Sequence, residues 1–482
     1  MREFELLIDE ALKKGLSPEE ILPFNSQFLM ECLGFRCGRA GLEVHKTLDN
    51  PLPVTIDMYY SWPFPQFIVG EKYNFLVVRD TVNQEDDVYL ISTDHSIVTA
   101  IFNVDELTFG KGTLMEVADF GEYAFMTNGV IMIYWDPALI AWIPIITSPI
   151  IPMMRTVCNL KGQAIGGNVR GIWNTVTLVY DPWHDCDETS YVWSKIGSMD
   201  FTPSTDNEAG YRRCPYGGEV YHVRRIGDQV VGYSSKGIVL MSPVGSPAVT
   251  FGFDELSDIG LVNRGAIAGD LFRHVYVGED YILRDISLQG ELTKKHGVRE
   301  LGYQQYMEDL QGEDIIVTYD PSTKDFYIGN STKTFLLSPY GLTEIKQHPS
   351  AVWRSDGESH MLPETVDSAL SYICTEIFDM GYKGQKTIFS METDAFLVED
   401  AEAGIDWAND LTSWGMEYYK PLNNMGIAAI ISSGNLFRFR LRFGTVYDPA
   451  RIGFIKARYK MTDLRGLRGV YAPGLRGQQK GD

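Results

Sequence analysis

The feature that most constrains this chain is a short motif repeated between residues 41 and 345. Each copy has an apolar strand, a turn on Gly or a polar pair, and a returning strand that ends near Pro or Asp. One copy runs through Gln66-Phe67-Ile68-Val69-Gly70 to Phe75-Leu76-Val77-Val78-Arg79-Asp80 and on to Val88-Tyr89-Leu90-Ile91. The next runs from Glu122 to Asn128-Gly129 and returns as Val130-Ile131-Met132-Ile133-Tyr134-Trp135-Asp136. Asn-Gly between apolar runs is a strong hairpin signal, because both residues tolerate the positive φ of a tight turn. Further copies lie at 227–243, 274–286 and 325–339. A spacing of roughly 40 to 60 residues is that of propeller blades, four-stranded sheets that bury their faces only by stacking around an axis. A pair of β-sandwich sheets carrying similar hairpins is the competing arrangement. The irregular stretch 155–220, with Asp181-Pro182-Trp183-His184-Asp185-Cys186-Asp187, is expected to hold a long inserted loop.

The flanks differ. Phe4, Leu7, Ile8, Ala11 and Leu12 recur at helical spacing up to Gly15. Ser17-Pro18-Glu19-Glu20 reads as the cap of a second short helix stopped by Pro23. Beyond residue 346 the period becomes two. In Phe437-Arg438-Phe439-Arg440-Leu441-Arg442-Phe443 the apolar residues fall on one face of a strand and three arginines on the other. The expected fold is all-β: a short helical extension (1–40), a β-propeller (41–345) and a C-terminal β-sandwich-like domain (346–482). Its basic tail carries Arg465, Arg468, Arg476 and Lys480.

Forty-two basic against 64 acidic residues give a net charge of −22. Such a surface cannot neutralise phosphates broadly, so tight general nucleic-acid binding is excluded, while a surface past which DNA slides is compatible. The six cysteines are scattered without C-x-x-C spacing and are expected as free thiols of a reducing compartment. Met1 to Glu5 shows no signal-peptide pattern. The uncharged apolar stretch from Pro137 to Met154 contains Pro137, Pro144, Pro149 and Pro152, which argues against a membrane helix. Phosphate-loop, dinucleotide-fold, zinc-protease and serine-hydrolase motifs are all missing, and no two histidines stand at ligand spacing. The run His184–Asp187 holds metal-capable atoms, but adjacent side chains rarely converge on one ion. Glu85-Asp86-Asp87 reads as a solvated loop. No catalytic residue, metal site or cofactor is therefore assigned.

Two features suggest assembly. One is the apolar segment with Trp142, Ile143, Ile145, Ile146, Ile150 and Ile151, either a buried connection between blades or a loop at a channel or subunit interface. The other is the arginine face of Arg438, Arg440 and Arg442, either a solvated sheet face or a basic patch meeting an acidic partner.

The layout, together with Asp379-Met380-Gly381, Lys386-Thr387-Ile388, Lys420-Pro421-Leu422-Asn423-Asn424-Met425-Gly426 and Ser432-Ser433-Gly434-Asn435-Leu436-Phe437-Arg438, resembles the tail hub and nozzle proteins of short-tailed bacteriophages. These are the tail tubular protein B and packaged-DNA-stabilisation group. The resemblance covers the whole chain in layout and about a hundred residues in detail. It implies a virion tail protein made in the host cytoplasm, not an enzyme. It further implies a homo-hexameric ring below the portal, touching an adaptor (head-to-tail connector) and tail fibre or tail spike proteins. Such a ring retains double-stranded genomic DNA and passes it without sequence-specific binding, with no membrane in the particle. The alternatives are a glycan-degrading propeller enzyme and a receptor-binding module.

Overall fold

The computed structural model describes residues 3–462 apart from 21–22, 53–59, 71–73, 96–97, 106–110, 122–123, 137–140, 145–150, 175, 178, 247–248, 290–294, 356, 364–365, 395–399 and 445–450. The chain is almost wholly β and divides into two compact units: 48–334 with 348–365, and 1–47 with 335–347 and 366–482.

The first of these is a series of antiparallel sheets in sequence order. Its first sheet is Gln66–Val69, Asn74–Asp80, Glu85–Ile91 and Val98–Asp105. The second is Glu116–Asp119, Ala124–Thr127, Met132–Asp136 and Ala141–Pro144. The third begins with Met153–Leu160 and Gln163–Asn174, the fourth with Val220–Ile226 and the fifth with Ile267–Gly269. The hairpins Ile316–Asp320/Asp325–Gly329 and Ala351–Ser355/Glu358–Leu362 follow.

Successive sheets pack face to face. The strand Asn74–Asp80 is buried on both sides, so its core reads as an unbroken apolar run and not as an alternation. Phe75 and Val77 pack with Met126 and Ile133 of the second sheet. Leu76 and Val78, pointing the other way, pack with Ala351, Trp353 and Leu362 of the final hairpin. The last hairpin thus returns to the first sheet, a propeller-like arrangement. Trp353 stacks on Phe67 at 3.9 Å between ring centroids, and its indole N–H donates to His95 Nε2 at 3.0 Å. Each fully buried aliphatic or aromatic side chain in these layers contributes about 1.5–3 kcal/mol.

Aspartate and asparagine close the hairpins by a local mechanism. Asp80 Oδ1 accepts from the amides of Val82 and Asn83 at 2.7 and 3.0 Å. Asp270 Oδ1 does the same for Phe272 and Arg273, at 2.8 and 2.9 Å. The side chain satisfies amides that the turn leaves without a backbone partner. At Asn128-Gly129, Asn128 Oδ1 receives the amides of Val130 and Ile131, and Gly129 adopts φ +85°.

The other unit has a large sheet in which Leu342–Ile345, Leu29–Leu33, Ser371–Thr375, Leu436–Phe443, Ala401–Ala408 and Trp414–Pro421 are consecutive neighbours. A second sheet joins Glu3–Ile8, Ile455–Met461 and Lys386–Thr393. Phe437, Phe439, Leu441 and Phe443 are fully buried, as their period-two spacing requires.

Three expectations are corrected. Glu3–Ile8 is a strand antiparallel to Ile455–Met461, and the helix is only Glu10–Lys14, ending at Gly15 with φ +69°. Phe4, Leu6 and Ile8 fit an alternating pattern as well as Phe4, Leu7 and Ile8 fit a helical one, and a partner strand decides between them. The 1–40 segment is therefore no separate extension: the boundaries at 40 and 345 give way to units assembled from non-contiguous segments. Stretch 155–220 forms a sheet and also holds a long loop, 194–209: Gln163–Asn174 pairs with Met153–Leu160, Ser190–Trp193 and Val179–Asp181. Finally, Glu85-Asp86-Asp87 opens a strand, and Asp86 is buried beneath Arg79, which donates to its two carboxylate oxygens at 2.6 and 2.8 Å.

Candidate functional site

The first strand of each sheet and hairpin in the 48–334/348–365 unit contributes residues to one cavity of about 610 Å³. Residues near the starts of these strands meet one another, and those near the ends meet one another.

At the starts, Glu116 opens its strand and is the hub. Its Oε2 accepts from Thr156 Oγ1 at 2.6 Å, and its Oε1 lies 2.6 Å from His222 Nδ1 and 3.8 Å from an Arg264 nitrogen. The other ring nitrogen of His222 meets the carbonyl of Arg264. Arg264 also donates to Thr113 Oγ1 at 2.7 Å and to the Arg155 carbonyl at 2.6 Å. Burial alone would raise the Glu116 carboxyl. His222, Arg264 and Thr156 outweigh that and hold it below the usual carboxylate range. This network ties the second, third, fourth and fifth sheets across the cavity.

Near the strand ends lie Arg224, Arg225, Cys158 and Asp270. Asp270 Oδ2 accepts from the Tyr319 hydroxyl at 2.9 Å. His274 Nδ1 is 2.8 Å from the Tyr233 hydroxyl and Nε2 is 3.2 Å from the Arg225 carbonyl. Burial, reinforced by Arg224, pushes His274 down to about 3, so its imidazole is neutral. Burial also pushes the Cys158 thiol far above its ordinary value.

The residues singled out in the sequence lie elsewhere. Ala141–Pro144, with Trp142 and Ile143, is the outermost strand of the second sheet, and Tyr134 pairs with Ile143. Ile151 is buried between the second and third sheets with Phe125 and Met153. Ile145, Ile146 and Ile150 lie outside the described residues. Arg438, Arg440 and Arg442 share one face as their spacing dictates, but the neighbouring strand supplies counter-charges to Arg440 and Arg442. Arg440 meets Asp406 at 2.7 Å, and Arg442 meets Glu402. Arg438 lies 4.2 Å over the Trp414 ring and Arg442 4.0 Å over Tyr419. Opposite Arg440 the partner strand carries Gly404, whose bare backbone leaves room for the Tyr419 ring. Among the described residues no group of three His, Cys, Asp or Glu side chains is placed to hold a metal ion, and His184 is instead stacked on Tyr211. No helix among them is long and apolar enough to cross a membrane.

Sequence reasoning missed Glu116, Thr156, His222, Arg264 and Arg224. Their one shared signal is position: each lies on or just before the first strand of its sheet.

No protein-family model matches the chain, and no curated protein matches it. Solved structures give distant likenesses. PorZ, a surface component of the type-IX secretion system of Porphyromonas gingivalis, aligns at 10% identity over 68% of this chain and 36% of its own, with a TM-score of 0.33. Kuenenia stuttgartiensis hydrazine synthase aligns at 10% identity over 67% of this chain and 95% of its own, with a TM-score of 0.37.

Proposed function

We propose that this chain is a structural protein of a bacteriophage tail. Copies would form a ring on the tail axis, continuing the DNA channel below the portal and adaptor and retaining the packaged genome until infection. On this reading the series of sheets is a β-propeller, and the ring contacts the adaptor and tail fibres or tail spikes. The observation that carries the reading is the edge of the large sheet. Among the described residues its terminal strand Trp414–Pro421 is unpaired on one side, and it exposes Met416 and Tyr418, 57% and 79% accessible. Met425 and Ile431, 70% and 72% accessible, lie in the following turns. Apolar side chains on an open sheet edge favour association, which free-standing proteins usually suppress. The phage-tail resemblance of residues 379–440 and the net charge of −22 add to it, since an acidic wall repels phosphate and lets DNA move.

Electron microscopy of particles carrying this protein tests the proposal. The expected result is density for the chain in a ring around an axial opening below the portal. Density only at the tail periphery, or none in the particle, rejects it; the peripheral outcome would favour a receptor-binding role.

A further inference from the structure

The cavity carries a positive charge that no described residue of the unit neutralises. Arg224, on the first strand of the fourth sheet, lines it half-buried. Its Nε is buried without a hydrogen-bond partner, and its guanidinium makes no hydrogen bond or ion pair with any described residue. A guanidinium that is partly desolvated and unpaired is unfavourable, and such groups are normally matched by an anion.

The neighbours cannot supply that anion. His274 is neutral and engaged at both ring nitrogens. Cys158 is held as the thiol by burial. Arg225, whose Nε donates to the Gly227 carbonyl at 2.9 Å, adds a second positive charge. Of the cavity's carboxylates, Glu116 is committed to Thr156, His222 and Arg264. Asp270 is committed to Tyr319 and to the amides of Phe272 and Arg273. In a chain of charge −22, this pocket has the opposite sign.

We infer that the cavity binds a small molecule bearing a phosphate or carboxylate group, with Arg224 as its principal anchor. The planar fork of a guanidinium matches two oxygens of either group. The volume of about 610 Å³ lies in the range of small-molecule sites, and Ile267, Val317 and Val352 give an apolar wall for the body of the ligand. This function is separate from assembly at the sheet edge and stands or falls without it.

Titration calorimetry on the whole chain, with inorganic phosphate and with citrate as separate probes, tests the inference. The expected result is saturable binding of one molecule per chain, with R224Q weakening it at least about tenfold and K161Q, a surface control, leaving it unchanged. Phosphate alone binding marks a phosphate ligand, and citrate alone a carboxylate ligand. Binding of neither probe, or equal binding by R224Q, overturns the inference. If R224Q loses its native circular dichroism, R224K is used in its place: it keeps the charge and loses the fork, so a fall of about tenfold supports the anchor and an unchanged affinity overturns it.

Discussion

Glu116 and His222 approach to 2.6 Å across the cavity, although a whole sheet, from Met153 to Arg213, separates them along the chain. Glu116 belongs to the second sheet and His222 to the fourth; Thr156 of the third joins them through the same carboxylate. The apolar layers hold neighbouring sheets together, and this polar cluster couples sheets that are not neighbours.

Removing the Glu116 charge should therefore weaken the whole sheet series. The folded carboxyl sits below its ordinary value of 4.5, so its stabilisation is complete above that value and is lost as pH falls through the lower folded value. Equilibrium urea unfolding at pH 7 should show E116Q less stable by about 3 kcal/mol, because Arg264 loses its buried counter-charge. The difference from the unsubstituted protein should shrink at acid pH. An E116Q midpoint equal to that of the unsubstituted protein at pH 7 would contradict the role of the cluster.

His274 gives a second acid sensitivity with a different window. Its folded value, about 3, lies below its ordinary 6.5, so the unfolded chain takes up the proton first. The stabilisation is complete above about 6.5 and declines towards 3 at about 1.4 kcal/mol per pH unit at most. Replacing it by glutamine keeps polar contacts and removes the titration. H274Q should flatten the fall in melting temperature between pH 6 and 4, measured by scanning calorimetry. A slope unchanged in the variant would show that other groups cause the fall.

What the sequence made legible was set by how local each signal is. The face shared by Phe437, Phe439, Leu441 and Phe443 could be read because a strand's period is two regardless of its partners. The strand Glu3–Ile8 could not, because residues 3–8 satisfy both periods and Ile455–Met461, some 450 residues away, decides. The arginines were placed on the correct face, but the neutralisation of Arg440 and Arg442 depends on the register that brings Ala401–Ala408 beside them. The Glu116 cluster had no signature beyond position on or just before the first strand of each sheet: four residues spaced irregularly along the chain meet because their strands begin at the same end of one cavity.

Trp353 is the test of ring closure. Stacked on Phe67 and bonded to His95, it joins the last hairpin of the series to the first sheet and is 1% exposed. W353A should cost about 3–5 kcal/mol through the cavity it leaves. W353F keeps the stacking and removes the indole donor to His95 Nε2, for about 1–2 kcal/mol. Hydrogen exchange should show the loss of protection in both 66–69 and 351–362. Loss confined to 351–362 would mean that the hairpin packs on the first sheet without stabilising it.

Arg440 and Asp406 decide whether the arginine face is available to partners. The pair is held at 2.7 Å with Asp406 nearly buried, so Arg440 is already neutralised inside its own sheet. D406A should cost about 3 kcal/mol, because the guanidinium left behind is partly buried beside Tyr419 without its counter-charge. A double-mutant cycle on urea unfolding should give a coupling of about 1 kcal/mol or more. A coupling near zero would mean that the contact adds nothing to folding and that Arg440 can exchange Asp406 for an external carboxylate. The assembly surface would then extend from the Met416–Tyr418 edge across this face. A strong coupling confines it to the edge, and substitutions of Arg440 should then lower stability without altering the proposed ring seen by electron microscopy.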